Sequence, residues 1–582
     1  MKDPLHRFKR IVLVDTEYIA RPGERLVPVC LVFMDYRTKQ IIRFWEDELG
    51  THPPYSTGPD TLFVAYYAPA EIGFHLARGW PPPARILDLY VEYRNRYNCL
   101  PTMVEQKLYQ KGEKKIGRSS LVGALIQFGQ DTIGASEKQE MIDLIVRGGS
   151  RTPAQKLAIL DYCESDVLAL YRLLLAMSPH LDMPRALLRG RYMASVASME
   201  NVGIPIEVEL LDRLRNGWGR IEQKLIDRID AQYGVYEETS FREHKFERWL
   251  TQHGIIWPRY PNGKLILADG VFRDMAKLHS ELNPLRELRY TLSQMRLNEL
   301  PVGSDGRNRC SLSPFGARTG RNTPSNTKYI FGPSVWLRGL IKPSPGFGVA
   351  YIDWASQEFA IAAVLSGDPA MLAAYESGDP YLEFAKKANV VPLDGTRKTH
   401  EKERELFKQC ALGVSYGMEE QSLALRIDRH LLIARSLLRH HREIFRRFWE
   451  WSDNRVRRTM FMNVTYTVFG WKYHVTADPN VRSIRNFPMQ ATAAEILRLA
   501  CCLGTEAEIR ICAPVHDAVL IEAPLERLDE DIARMRGFMD QASAIVLDGF
   551  KLRTEYVAVR YPDRYMDEAR GRPFWDTVMS LL

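Results

Sequence analysis

Gly348-Val-Ala-Tyr-Ile-Asp353-Trp-Ala-Ser-Gln-Glu358 decides the fold of the second half of this chain. It is a short apolar run that ends in an acid, followed by the start of a polar segment. A continuous apolar run of this length reads as a strand buried on both faces, with Asp353 at its exit. A second stretch, Ile511-Cys-Ala-Pro-Val-His516-Asp517-Ala-Val-Leu-Ile-Glu522, has the same character. Residues 510–515 and 518–522 read as a hairpin with His516 and Asp517 at its tip. If the two strands are neighbours in one sheet, both carboxylates face one pocket. Two Mg²⁺ ions roughly 3.5–4 Å apart could then be held between them. Either Asp alone reads equally well as a turn cap.

Between these strands lies Arg404-Glu-Leu-Phe-Lys408-Gln-Cys-Ala-Leu-Gly-Val-Ser-Tyr416-Gly417. Arg404, Lys408, Leu412 and Tyr416 are spaced by four, a stripe that drifts about 40° per step around a helix. Arg404 and Lys408 suit the phosphates of a triphosphate, and Tyr416 suits stacking on a base pair. A solvated charged face is the alternative, but the apolar run through Cys410 fits poorly with full exposure.

The bulk properties are those of a globular protein. The chain has 582 residues, which predicts two to four domains, with 45% hydrophobic and 26% charged residues. Its net charge of +7 is compatible with a polyanionic partner without requiring one. None of the eight cysteines forms a C-x-x-C pair, so buried thiols in a reducing compartment are expected. The N-terminus has no apolar signal region and no run spans a bilayer, which predicts a cytoplasmic protein without membrane contact.

The first segment opens with Ile11-Val-Leu-Val-Asp15-Thr-Glu17. Strands are expected at 27–34, 41–45 and 62–67, a helix through Glu71 and His75, and a further strand from Ile86. Mixed strands and helices predict an α/β domain over 1–186. Apolar residues at Leu211, Leu214, Trp218, Ile221, Leu225 and Ile229 predict a long helix in a helical unit. Asp15 and Glu17 are two apart on a strand and so share a face. Tyr162 and Asp166 are four apart on a helix and share one too.

These motifs together resemble DNA polymerase family A, the group of bacterial DNA polymerase I. Asp353 matches the first metal motif, and Glu358 the sugar-gating Glu beside Gln357. Arg404, Lys408, Tyr416 and Gly417 match the nucleotide-binding helix, and His516 and Asp517 the third motif. Thr319-Gly-Arg321 with Asn326 resembles the primer-template grip, and Arg482, Asn486 and Gln490 match residues near the nascent pair. The resemblance implies a right hand: thumb 187–300, palm 301–365 and 489–582, fingers 366–488. It implies Mg²⁺ on Asp353 and Asp517, deoxynucleoside triphosphates and primer-template DNA as partners, Arg289 as a phosphate contact, and a monomer. Leu412 stands where the family carries an aromatic ring, and Ala518 where it carries a Glu.

The first segment resembles the RNase H-like 3′–5′ proofreading exonucleases. Asp15 and Glu17 match their first motif and Tyr162 and Asp166 their third. Glu71 stands where the second motif has Asp. This implies two Mg²⁺ or Mn²⁺ ions at Asp15, Glu17 and Asp166. The compact layout resembles polymerases of phages, implying genome replication in a bacterial host. Two other readings stay open: a DNA 3′–5′ exonuclease, or a DNA-binding scaffold, in each case with an inactive polymerase half.

Overall fold

The computed structural model describes residues 4–582 apart from 104–116, 131–134, 294–296, 333–334 and 416. Two sheets organise the chain. The first has five strands: Arg10–Ile19, Val27–Asp35, Ile41–Trp45, Thr61–Ala65 and Ile86–Asp88. Their spatial order is third, second, first, fourth, fifth. The first three form an antiparallel meander, and the last two run parallel to the first. Alternation along the central strand explains its apolar continuity. Ile11 and Leu13 enter a core with Ile159, Val167 and Leu170, whereas Val12 and Val14 enter another with Ile72, Phe74 and Val196. The helix Pro153–Met177 thus covers one face, and the helices Pro69–Ala77 and Met183–Val202 the other.

The second sheet is antiparallel throughout, in the order Ile511–Val515, Ala518–Pro524, Phe347–Trp354, Thr554–Arg560. The helices Val481–Glu506 and Leu528–Val546 pack behind it. Before it stand the helices Val208–Asp230, Glu243–Gln252, Asp269–Leu278 and Asn283–Ser293, and between its strands a helical block from Gln357–Ser366 to Arg446–Met462. The fold is therefore a mixed α/β unit followed by a hand-like arrangement, as the sequence predicts.

The two halves are bolted together. Helix Met183–Val202 crosses the expected boundary at 186/187 without a break, because one of its faces serves the first sheet and another the second. Gly190 makes this possible: a Cβ there would lie 2.0 Å from the Ile86 carbonyl oxygen. The expected 488/489 boundary likewise falls inside Val481–Glu506. Asn98 Nδ2 donates to the carbonyls of Arg318 (2.7 Å) and Lys472 (2.6 Å), and Arg189 pairs bidentately with Glu92 in a fully buried contact. Arg307 and Glu522 form another buried pair at 2.9 Å, tying the hairpin to the carbonyls that end the Met183–Val202 helix. All eight cysteines are free thiols. Among the described residues, no helix is long and apolar enough to cross a membrane.

Candidate active sites

The C-terminal site is made by strand register. Asp353 lies opposite Ala518, so Asp517, one residue earlier at the hairpin tip, emerges at the same end of the sheet. The Trp354 N–H donates to the Asp517 carbonyl at 3.3 Å. The turn is only two residues long, and His516 takes φ +54 to close it. Tyr329 donates to the Pro514 carbonyl at 2.8 Å and steadies the hairpin from below.

Electrostatics mark this pair as a place for positive charge. Burial pushes the Asp353 carboxyl up to about 8, with Asp517 and then Glu555 adding to it. Burial raises Asp517 as well, opposed by Arg321 and His516. Asp353 Oδ1 is a buried oxygen without a hydrogen-bond partner. Two carboxylates that repel each other, one with an orphaned oxygen, fit a divalent cation. Glu555 escaped the sequence reading. It stands directly across the ladder from Asp353 on the strand Thr554–Arg560, an exposed strand with no acidic signature beyond this residue. Cross-strand partners have Cβ atoms about 4.5–5.5 Å apart. The position expected to hold a second acid, 518, is Ala on the other side of Asp353, so the third carboxylate here comes from the opposite neighbour.

Next to the pair, reaching it at His516, lies a cleft of about 1020 Å³ whose walls include Arg321, Asn326, Tyr290, Arg498, His516 and Arg570 but neither aspartate. Arg321 Nη2 donates to Glu358 Oε1 at 2.9 Å, which brings two separately read motifs into contact. Gln357 is buried with neither amide atom partnered. Burial and the cations Arg321, Arg338 and Arg570 depress His516, opposed by Asp517.

The basic stripe is on the helix Glu401–Ser415. Its apolar side, Phe407, Cys410, Ala411 and Val414, is buried, which leaves Arg404, Lys408 and Leu412 on the other. Lys408 Nζ is 3.6 Å from Glu405 and partly exposed. Arg404 is not free: it is held by Asp379, the N-cap of the next helix inward, and lies 5.6 Å over the Tyr381 ring. Tyr416 lies outside the described residues. Gly417 has φ +64, and a Cβ there would come within 3.0–3.2 Å of Arg482. That contact joins the stripe to Arg482, Asn486 and Gln490, which succeed one another by one turn on Val481–Glu506. Asn486 Oδ1 is buried without a partner.

Arg289 departs from expectation. Its guanidinium packs 4.2 Å over Phe241 and 4.5 Å over Phe272 and donates to the Leu267 carbonyl. Helical spacing cannot distinguish a phosphate contact from this aromatic sandwich, and the structure gives Arg289 the second role.

The N-terminal site gathers every residue expected there. Asp15 and Glu17 leave the same face of the central strand, with Thr16 buried on the other. Tyr162 and Asp166 approach from helix Pro153–Met177, where they are hydrogen-bonded to each other. Glu71 enters from Pro69–Ala77, 3% exposed, with Oε2 unpartnered. Burial pushes its carboxyl well above the ordinary range, and Asp15 adds to the shift. Asp88 aims this helix. It accepts from the N–H groups of Ala68 (2.7 Å), Val91 (3.1 Å) and Tyr67 (3.4 Å), holding Tyr67 at φ +75. Asp88 is thus a scaffold residue. Cys163, expected from sequence only as a buried thiol, has Sγ 3.2 Å from Asp15 Oδ2.

Residues 273–557 match the family described as DNA polymerase family A. The chain is 25% identical over 400 residues to the DNA polymerase I of Aquifex aeolicus, covering 65% of this chain and 67% of that protein. It is 24% identical over 441 residues to the DNA polymerase I of Chloroflexus aurantiacus, covering 68% of this chain but 46% of that one. A solved structure, the POL domain of Pol1 from M. smegmatis in complex with DNA primer-template and dNTP, superposes with a TM-score of 0.69. The identity is 17%, over 95% of this chain and 96% of that one.

Proposed function

We propose that the chain, whose residues 273–557 match DNA polymerase family A, extends the 3′ end of a DNA primer on a DNA template, with Asp353 and Asp517 as the ligands of Mg²⁺. The observation that carries this reading is the convergence of those two carboxylates, distant in sequence, at one end of the second sheet, with the Asp353 Oδ1 oxygen buried and unpartnered. Bound divalent cations would supply charge to activate the primer hydroxyl and to stabilise departing pyrophosphate.

The protein's own groups do the rest. Lys408 and Arg404 receive the triphosphate, and Arg404 must exchange Asp379 for phosphate oxygens to do so. Glu358 lies where the sugar of the incoming nucleotide would pass, and its carboxylate disfavours a 2′-hydroxyl. Arg321 and Asn326 grip the primer-template, while Arg482, Asn486 and Gln490 line the template side. Leu412 offers the sugar an aliphatic edge.

The first sheet supports a second activity, removal of nucleotides from a 3′ end. Asp15, Glu17, Glu71 and Asp166 converge, with Tyr162 set to orient an attacking water. Glu in place of Asp at 71 does not prevent this convergence, since its carboxyl already feels Asp15 and Glu17.

Primer extension with Mg²⁺, run with a matched and a mismatched primer end, tests both activities. Synthesis by the parent and none by Asp517→Ala is expected. Extension that survives Asp517→Ala would overturn the assignment.

A further inference from the structure

Cys163 occupies the wall of the N-terminal carboxylate site and has no part in the chemistry proposed above. Its single S–H has two acceptors within reach, both on Asp15: Oδ2 at 3.2 Å and the main-chain oxygen at 3.3 Å. One ligand atom from each of Asp15, Glu17 and Cys163 lies within 4.8 Å of the others. Donor atoms around a tetrahedral ion with bonds of about 2.0–2.3 Å sit roughly 3.5 Å apart, so the sulfur and the Asp15 oxygen are already near that spacing. The same helix face carries Asp166 three residues on.

An independent observation points to a cation. Glu71 is 3% exposed, its Oε2 has no hydrogen-bond partner, and its charged neighbours are Asp15, Asp88 and Glu17. A buried carboxyl oxygen with no donor, set among other carboxylates, is relieved by a proton or by a cation, and only a cation also relieves Asp15 and Glu17.

We propose that this site takes a thiophilic divalent cation of the Zn²⁺ class, with Asp15, Glu17 and the Cys163 thiolate as its ligands. The proposal rests on the reading of Asp15 and Glu17 as cation-holding residues. Two modes of occupancy follow from ligand softness. Mg²⁺, a hard ion, takes carboxylate oxygens and leaves the Cys163 S–H donating to Asp15. For Zn²⁺ or Co²⁺, the Sγ–H proton leaves to solvent as the sulfur–metal bond forms, so one proton is released per ion bound. The two ions compete for the same carboxylates, which makes the N-terminal activity sensitive to the softer one. Cys30, cross-strand from Glu17 and hydrogen-bonded to Cys163, backs the thiol and is itself fully buried.

The test is a Co²⁺ titration of the chelator-treated full chain, read by the near-ultraviolet thiolate-to-cobalt charge-transfer band. The band is expected in the parent and in Cys99→Ser, and absent in Cys163→Ser, whose Zn²⁺ affinity falls roughly tenfold or more. No band in the parent, or a band that survives Cys163→Ser, overturns the proposal. Thermal unfolding checks that the variants fold. Should Cys163→Ser fail to fold, X-ray absorption of the zinc-loaded parent decides, a sulfur scatterer supporting the proposal and an all-oxygen shell overturning it. Mg²⁺-dependent digestion of single-stranded DNA is measured on the same parent. Digestion without the cobalt band sinks only the thiolate site, and the band without digestion sinks only the nuclease reading.

Discussion

Asp517→Asn should flatten the pH dependence of stability that the buried Asp353–Asp517 pair imposes. In the cation-free protein Asp353 titrates at about 8 because of burial, then of Asp517 and Glu555. In the unfolded chain an Asp titrates near ~3.9. The folded state therefore holds the proton more tightly. The stability this contributes is complete below pH ~4 and is lost as pH rises through about 8. A difference of about four pH units corresponds to at most ~5–6 kcal/mol. Asp353 keeps some solvent contact, so a loss of roughly 2–3 kcal/mol between the two limits is the working figure. Burial outranks Asp517 among the causes, so removing the Asp517 charge should recover only ~1 kcal/mol of it. Mg²⁺ at about a hundredfold over its dissociation constant should add ~2.7 kcal/mol to the parent. Urea unfolding at pH 6.5 and 8.5, with chelator or with Mg²⁺, measures all four corners. Asp88 and Glu200 also titrate at about 7 because of burial, and taking the difference between parent and variant cancels them. Identical pH slopes and identical Mg²⁺ responses in the two proteins would refute the shared site.

Glu358→Ala should admit ribonucleotides in a primer-extension assay with mixed substrates, and unchanged sugar discrimination would remove Glu358 from the gate. Asp15→Ala should abolish digestion of single-stranded 3′ ends while primer extension continues, and digestion that persists would move the nuclease ligands elsewhere. Glu522→Ala strands Arg307, a buried cation, beside the partly exposed Arg510. Loss of one partner from such a pair costs about 3–5 kcal/mol, which urea denaturation would register. Asp379→Ala frees Arg404 from its carboxylate, so nucleotide KM in steady-state extension should fall, and a rise would show that Asp379 instead holds Arg404 in its binding pose.

Strand ends announced the main site, and packing hid its details. Asp353 and Asp517 were legible because each closes an apolar run, and their helix neighbours because a cationic stripe with a buried back has few other uses. That Asp353 sits between Ala518 and Glu555 depends on strand order, which no local pattern encodes. Arg289 looked like any charged helix position, and only the three-dimensional approach of Phe241 and Phe272 gives it another task. Cys163 looked inert because a thiol in an apolar helix usually is. Its neighbour Tyr162 and the spacing to Asp166 place it beside the face that carries the N-terminal carboxylates. Domain limits at 186 and 488 were blurred by helices that serve two cores at once.

The cations and anions that the proposed reaction needs are nearly all occupied by one another. Arg404 is held by Asp379, Arg321 by Glu358, and Lys408 lies beside Glu405. The first two pairs keep a charge from being stranded where it is partly desolvated, while Lys408 and Glu405 are more exposed and their pairing is worth little. Each must also be exchanged when a triphosphate or a primer end arrives. The substrate therefore gains only the difference between its own contacts and those it displaces, and a poorly matched ligand gains nothing. Asp353 and Asp517 are the exception. Their charges oppose one another, so without a cation Asp353 retains a proton to about pH 8, and a bound divalent cation would relieve both carboxylates. The ion pairs named here are thus closed within the protein, whereas Asp353 keeps a buried oxygen open at the position where metal-assisted chemistry would occur.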